Sequence, residues 1–336
     1  MLEENAVVAN ESVLLEGYAP EDALHREGQR RVLAECIKPA STGKRIRNVF
    51  LYGPPGTGKT MLTKWIMSEL EKGASRVKTV YVNCWSRSTA YAVLGEILHQ
   101  AETFVSPRES MLSMTRKFEN ATRHPEKKFI IALDEVDHLE SPEILYDVSR
   151  SGAGLICISN NPYALSGVDD RIKSSLQVEG IEFAAYTADQ MADIIGQRAK
   201  YGLAPNAIAR DEIKMVARMC NGDARVGIEM LRKAALIAEA ENKRKVSTDH
   251  IRKAFNEAKF MRKTKIESRL NDDETEILKI IRSADRINAN GIYEQYAKKV
   301  ASPVTGRAVR KYLQKFAKLG LIKHEGDVRW REYFAV

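Results

Sequence analysis

Long apolar stretches are missing from this chain of 336 residues: no uninterrupted run of 18 occurs, and the first 30 residues hold no apolar block flanked by basic ones. Neither a membrane span nor a secretion leader is expected. Cysteine is scarce. The four present (Cys36, Cys84, Cys157, Cys220) lie far apart without a Cys-x-x-Cys pair, which argues against a disulfide frame or zinc site and for reduced core thiols of a cytoplasmic protein. The six histidines are equally scattered, and His138 reads as a surface or supporting residue, not a metal ligand. Internal repeats and low-complexity tracts are absent too, which excludes solenoids and linker-like chains. What remains is the composition of an ordinary globular protein, 44% hydrophobic and 29% charged, long enough for two or three domains.

Its net charge of +8 is unevenly placed. Between Lys298 and Arg331 ten Lys/Arg face two acids, Glu325 and Asp327, so the rest of the chain is neutral. A neutral body with a basic tip points to nucleic acid as the partner.

The chemistry of that body is announced by Gly53-Pro54-Pro55-Gly56-Thr57-Gly58-Lys59-Thr60-Met61. The apolar run Val49–Tyr52 precedes it as a buried strand, and residues 61–70 follow with helical spacing. Glycines let successive N–H groups turn inward around a polyphosphate, and the helix start adds its positive dipole end. Lys59 reaches the β- and γ-phosphates, and the Thr60 hydroxyl completes a Mg²⁺ shell. Phe129–Leu133 is a second buried strand, ending in Asp134 and Glu135: one acid for the metal, one to polarise an attacking water. A third, Leu155–Ile158, ends near Asn160, whose amide suits a γ-phosphate but equally begins a turn. Arg171 offers a charge stabiliser for a transferring phosphoryl group, and Arg225, on the first turn of a helix, could reach back to the nucleotide; arginine is abundant, so each assignment rests on order and spacing.

Strand candidates Val49–Tyr52, Val77–Val82, Phe129–Leu133, Leu155–Ile158 and Ile181–Phe183 alternate with helical patterns at Tyr91–Gln100, Met111–Thr122 and Glu143–Arg150. Such α/β alternation predicts a parallel sheet covered on both faces. From Thr187 strands vanish and helices follow at Ala188–Lys200, Asp211–Cys220, Ala224–Glu241 and Thr248–Met261, with Arg262–Glu267 as a linker. The domains expected are 1–186 (nucleotide-binding), 187–267 (helical lid and linker) and 268–336 (winged helix, DNA-binding). In the last, helices Asp273–Ile281 and Gly291–Lys299 precede a third opened by Pro303. Val309, Tyr312, Leu313 and Phe316 make its apolar face. Arg307, Arg310, Lys311, Gln314 and Lys315 (with Lys318) make the DNA-facing one. Leu321–Glu325 and Val328–Phe334 flank a two-residue Gly326-Asp327 turn, forming a wing that carries Arg329, Trp330 and Arg331. The alternative is a winged helix used only for protein docking.

These motifs resemble archaeal replication initiators of the family that combines origin-recognition-complex subunit one with cell-division-control protein six. The resemblance rests on Tyr18-Ala19-Pro20 and Leu24–Gln29, Asn48–Thr60, Leu133–Asp137, Asn160, the Arg171 run, and Gly222-Asp223-Ala224-Arg225. It implies an AAA+ module with parallel strand order 5-1-4-3-2, a helical lid and a winged helix. It also implies bound ATP or ADP with Mg²⁺, with Tyr18, Pro20 and Arg26 beside the nucleotide. Asn160 falls at sensor 1, Arg225 at sensor 2, and Arg171 at the arginine finger that serves a neighbouring copy. Two positions depart from the pattern: Asp170 stands where Pro is common, and Asn161 where Asp often is. Ser86–Thr122 matches an insert that touches DNA in the family, here with few basic residues (Arg87, Arg108, Arg116, Lys117). The implied partners are origin duplex DNA, a minichromosome-maintenance-type helicase and other initiator copies, in the cytoplasm at the nucleoid. Two other readings of the same parts are a Holliday-junction branch-migration motor and a clamp-loader-like subunit.

Overall fold

The computed structural model describes residues 6–335 apart from 16, 19, 21–22, 45, 124–126, 268–269, 301, 319–320 and 327–330, with only the backbone of 258–267 and 318. Contacts divide the chain into two compact units, 1–251 and 252–336.

The first unit alternates helix and strand in order: α1 (Glu27–Ile37), β1 (Val49–Tyr52), α2 (Lys59–Gly73), β2 (Val77–Asn83), α3 (Ala90–Gln100), α4 (Met111–Thr122), β3 (Lys128–Asp134), α5 (Glu143–Arg150), β4 (Gly154–Ser159), α6 (Asp170–Leu176) and β5 (Glu179–Glu182). The strands pair in parallel as β2-β3-β4-β1-β5, the 5-1-4-3-2 order expected. Strand side chains alternate between faces. Val49, Leu51, Ile130 and Ala132 pack under α1 and α2, against Leu33, Ile37, Leu62 and Ile66. Phe50, Phe129, Ile131 and Leu133 pack on the other face, against Val93, Leu94 and Phe118 of α3 and α4 and Val148 of α5. Both faces are covered, so the central strands read as continuous apolar runs. β5 starts two residues and ends one residue earlier than expected; as an edge strand it buries only Ile181.

The strand-free stretch forms α7 (Ala188–Gly202), α8 (Arg210–Met219), α9 (Ala224–Ala240) and α10 (Thr248–Glu267). A reciprocal capping box between Thr187 and Gln190 starts α7. The expected linker Arg262–Glu267 is instead the last part of α10. Without proline or glycine, a basic polar run keeps its helical propensity. The chain's beginning is bonded to these helices. Val7 and Val8 N–H donate to Glu239 Oε1 at 2.7 and 2.8 Å, and Ala9 and Asn10 N–H donate to the Gly202 carbonyl at 2.9 and 3.0 Å.

The second unit runs α11 (Asp272–Ser283), β6 (Ile287–Asn288), α12 (Ala289–Lys299), α13 (Gly306–Lys318), β7 (Ile322–Glu325) and β8 (Glu332–Ala335), with an antiparallel sheet ordered β6-β8-β7. This is the winged-helix order. Ile277, Ile281, Ile292, Tyr296, Val309, Leu313 and Phe316 form its core. Two expectations are corrected, and one strand is added. α13 starts at Gly306, not at Pro303: the Thr305 hydroxyl accepts from Ala308 N–H at 3.4 Å and caps the first turn. Glu325 pairs with Glu332, not with Val328 as a two-residue Gly326-Asp327 turn would require; residues 327–330 lie outside the described residues. β6 is too short to leave a pattern; it exists because β8 supplies its partner.

Candidate nucleotide site and basic helix

The phosphate-loop motif folds between β1 and α2, where two of its glycines meet demands no other residue satisfies. At Gly53 (φ 143°) a Cβ would lie 2.1 Å from the Phe183 carbonyl oxygen. At Gly56 (φ 71°) it would lie 1.8 Å from Asp223 Oδ1. Asp223 is the cap of α9, accepting from the N–H groups of Arg225 and Val226, and Ala224 N–H donates to the Gly56 carbonyl at 3.1 Å. The lid therefore touches the loop directly. Thr57 Oγ1 donates to the Pro54 carbonyl at 2.9 Å and closes the turn; Pro55 is exposed, and Met61 sits in the first turn of α2 with its methyl facing Gly58.

Lys59 is buried. Its ammonium donates to the Gly53 carbonyl (2.7 Å), the Pro54 carbonyl (2.8 Å) and Asn160 Oδ1 (2.9 Å). Burial pulls its pKa down to about 8; Asp134 opposes this, while Arg225 and Arg26 reinforce it. Thr60 Oγ1 donates to Asp134 Oδ2 at 2.6 Å. A hydroxyl beside a carboxylate is a hard-oxygen pair of the kind Mg²⁺ takes, so the donor set fits that ion. No cluster of three or more His, Cys, Asp or Glu suited to holding a metal by protein alone occurs among the described residues.

Glu135 follows in the left-handed region (φ 58°, ψ 47°), a conformation costing about 1 kcal/mol for a residue with a Cβ. Burial, and then the neighbouring Asp134 charge, raise its pKa, which moves a carboxylate toward useful base strength. Arg225 is exposed on the first turn of α9, 3.6 Å from its own cap, Asp223. Lys59–Asn160 and Thr60–Asp134 are thus two bonded pairs at the start of α2, with Asp134 and Arg225 both close enough to act on Lys59. Arg171 shares no hydrogen bond or ion pair with either pair; it is exposed at the start of α6, over the Asp169 cap.

Arg26 supports the loop from behind. Its buried guanidinium donates to the Thr57 carbonyl (Nε, 3.0 Å) and the Ala184 carbonyl (Nη2, 2.6 Å), 3.9 Å from the Tyr186 ring centre. Tyr18 is half-buried with Arg198 of α7 4.6 Å from its ring centre, and Pro20 is half-buried nearby in sequence. Sequence reasoning missed Tyr186, against the Arg26 guanidinium, and Tyr81, bonded to Asp134. No motif marks them, and each becomes a neighbour of the site only through the tertiary fold. For Tyr81 the strand alternation of β2 was the only available signal.

In the second unit, Arg307, Arg310, Lys311, Gln314 and Lys315 are all exposed on α13. They differ in freedom: Lys315 Nζ donates to the buried Glu274 at 2.6 Å. Arg331 is half-buried, while Arg329 and Trp330 lie outside the described residues.

Known proteins match both the sequence and this arrangement. The AAA domain family covers residues 44–158, and the Cdc6 AAA+ ATPase-type lid domain covers 192–256. ORC1-type DNA replication protein 9 of Halobacterium salinarum is 30% identical over 335 residues, spanning 99% of this chain and 95% of the relative. ORC1-type DNA replication protein 2 of Methanosarcina mazei is 34% identical over 301 residues, spanning 85% and 80%. Among solved structures, the Aeropyrum pernix ORC1 protein in complex with DNA superposes with a TM-score of 0.85 at 29% identity, covering 99% of this chain and 94% of that one. Matched over nearly its whole length, with the phosphate loop, acidic strand end and lid in place, the chain belongs to the family of ORC1-type DNA replication proteins and is an AAA+ ATPase.

Proposed function

We propose that this protein is an ATP-switched replication initiator that binds origin duplex DNA through α13 and the wing and helps recruit a minichromosome-maintenance-type helicase at the nucleoid. The observation that carries the reading is the pair of contacts Lys59–Asn160 and Thr60–Asp134 side by side at the start of α2, with the lid anchored to the same loop through Gly56. The DNA complex of the Aeropyrum relative and the exposed basic face of α13 support the duplex as partner.

Lys59 and the N–H groups of residues 56–60 would hold the phosphates, and Thr60 and Asp134 would hold Mg²⁺. When bound, the ion neutralises charge on the phosphoryl group being transferred. Glu135 orients a water and takes its proton. Asn160 and Arg225 sense the γ-phosphate, and Arg171 reaches the nucleotide of a neighbouring copy, so a lone copy hydrolyses slowly. Arg26 braces the loop, and Tyr18 and Pro20 border the base.

Selection of bound duplexes from genomic fragments, with and without ATP, tests the reading. Clustered sites near one locus, enriched with ATP, support it; indifference to sequence favours a DNA motor. A Glu135→Gln variant that binds the selected sites normally while hydrolysis drops at least about a hundredfold identifies ATP as a switch. Loss of DNA binding in that variant would instead tie binding to turnover.

A further inference from the structure

Tyr81 sits on β2, the edge strand of the sheet, and its hydroxyl donates to Asp134 Oδ2 at 2.8 Å. The same oxygen accepts from Thr60, and Asp134 Oδ1 accepts from the Glu135 N–H at 2.9 Å. A carboxylate offers about four lone-pair positions. Three are taken, and the one left is on Oδ1.

Tyr81 is held at its backbone and at its ring as well. Its backbone faces the open edge of the sheet, where the Gln100 side chain accepts from Tyr81 N–H (3.0 Å) and donates to the Tyr81 carbonyl (2.8 Å). Its ring lies 4.0 Å from Lys64 Nζ. Lys64 is one helical turn beyond Thr60, on the same face of α2. The helix that carries the phosphate loop thus grips the pair twice, with Thr60 on the carboxylate and Lys64 on the phenol. A side chain needed only for packing would not require a hydroxyl here.

We propose that Tyr81 is a positioning residue of the metal–nucleotide site: its hydroxyl fixes the Asp134 carboxylate against Thr60, so that one acceptor position on Oδ1 stays open for the metal's hydration shell. The inference rests on the nucleotide reading above and deepens it. Preorganising an acidic group in this way lowers the cost of ordering it when the ion arrives.

The test uses the full chain and a fluorescently labelled ADP, titrated with Mg²⁺ from an EDTA-treated start. In Tyr81→Phe the Mg²⁺ concentration giving the half-maximal effect rises about tenfold, the effect of one hydrogen bond to a charged group. Affinity measured in EDTA stays within about twofold of wild type, as does the melting temperature to within about 2 °C. Gln100→Ala, which keeps the hydroxyl and loosens its backbone, shifts the Mg²⁺ midpoint in the same direction by a smaller factor. An unchanged Mg²⁺ midpoint in Tyr81→Phe overturns the proposal and leaves the nucleotide reading standing. So does an equal loss of affinity with and without Mg²⁺. Wild-type protein that retains no labelled ADP in either arm overturns both.

Discussion

At Gly53 the backbone is extended into a region closed to side chains, and the Phe183 carbonyl lies where a methyl would go. That neighbour is main chain and cannot swing away. Gly53→Ala is therefore expected to cost at least about 2 kcal/mol in urea unfolding. Gly28, early in α1 with nothing within 4 Å of a built Cβ, shows the opposite sign. Its replacement by Ala is expected to gain about 0.5 kcal/mol from helix propensity alone. Glu109 gives a pH-dependent case. Lys117 bonded to its carboxylate, then the Ser113 hydroxyl and the Ser106 N–H, hold its pKa down to about 2. A depressed carboxyl contributes stability above its unfolded value of about 4.3, and that contribution disappears as pH falls through about 2. Carboxyl-carbon titration should find Glu109 still ionised at pH 3 in the native protein. Lys117→Met should return it toward the ordinary range.

Among the elements, the opening segment has the least predictable placement. Residues 7–14 precede α1 by order yet are bonded to α7 and α9, through Glu239, Gly202 and Arg198. Arg198 is buried, donating to the carbonyls of Val13 (3.0 Å) and Tyr18 (3.2 Å); burial lowers its pKa. Arg198→Ala would leave both carbonyls short of a donor and a void beside the Tyr18 ring. The expected loss is about 2 kcal/mol, with faster amide exchange at Val7, Val8, Ala9 and Asn10. Unchanged exchange there would mean the segment is held by its apolar contacts alone. α10 teaches the converse lesson: a basic, breaker-free run that resembles a linker in composition is a helix, because propensity acts wherever no proline or glycine interrupts it.

For the whole molecule, charge placement decides how DNA would be met. Lys311 and Arg307 are exposed without an ion pair among the described residues, whereas Lys315 is neutralised by Glu274. Each of Lys311→Ala and Arg307→Ala should therefore weaken duplex binding and flatten its dependence on log salt by about 0.9, the value for one phosphate contact. Lys315→Ala should change the slope by less, measured by fluorescence anisotropy across a salt series. The nucleotide loop, the acidic strand end, the sheet and the basic face of α13 were legible in the linear chain, because each is local: apolar periodicity, glycine spacing and charges one helical turn apart. The register of β7 on β8, the bonding of residues 7–14 to α7 and α9, the pairing of Lys315 with Glu274 and the Tyr81 hydroxyl on Asp134 were not. Those depend on strand register and on side chains meeting across dozens to hundreds of residues. Sequence by itself determined which chemistry this protein carries. Only the tertiary fold decided which groups hold that chemistry in place, since such contacts are set by packing between elements and leave no spacing rule along the chain.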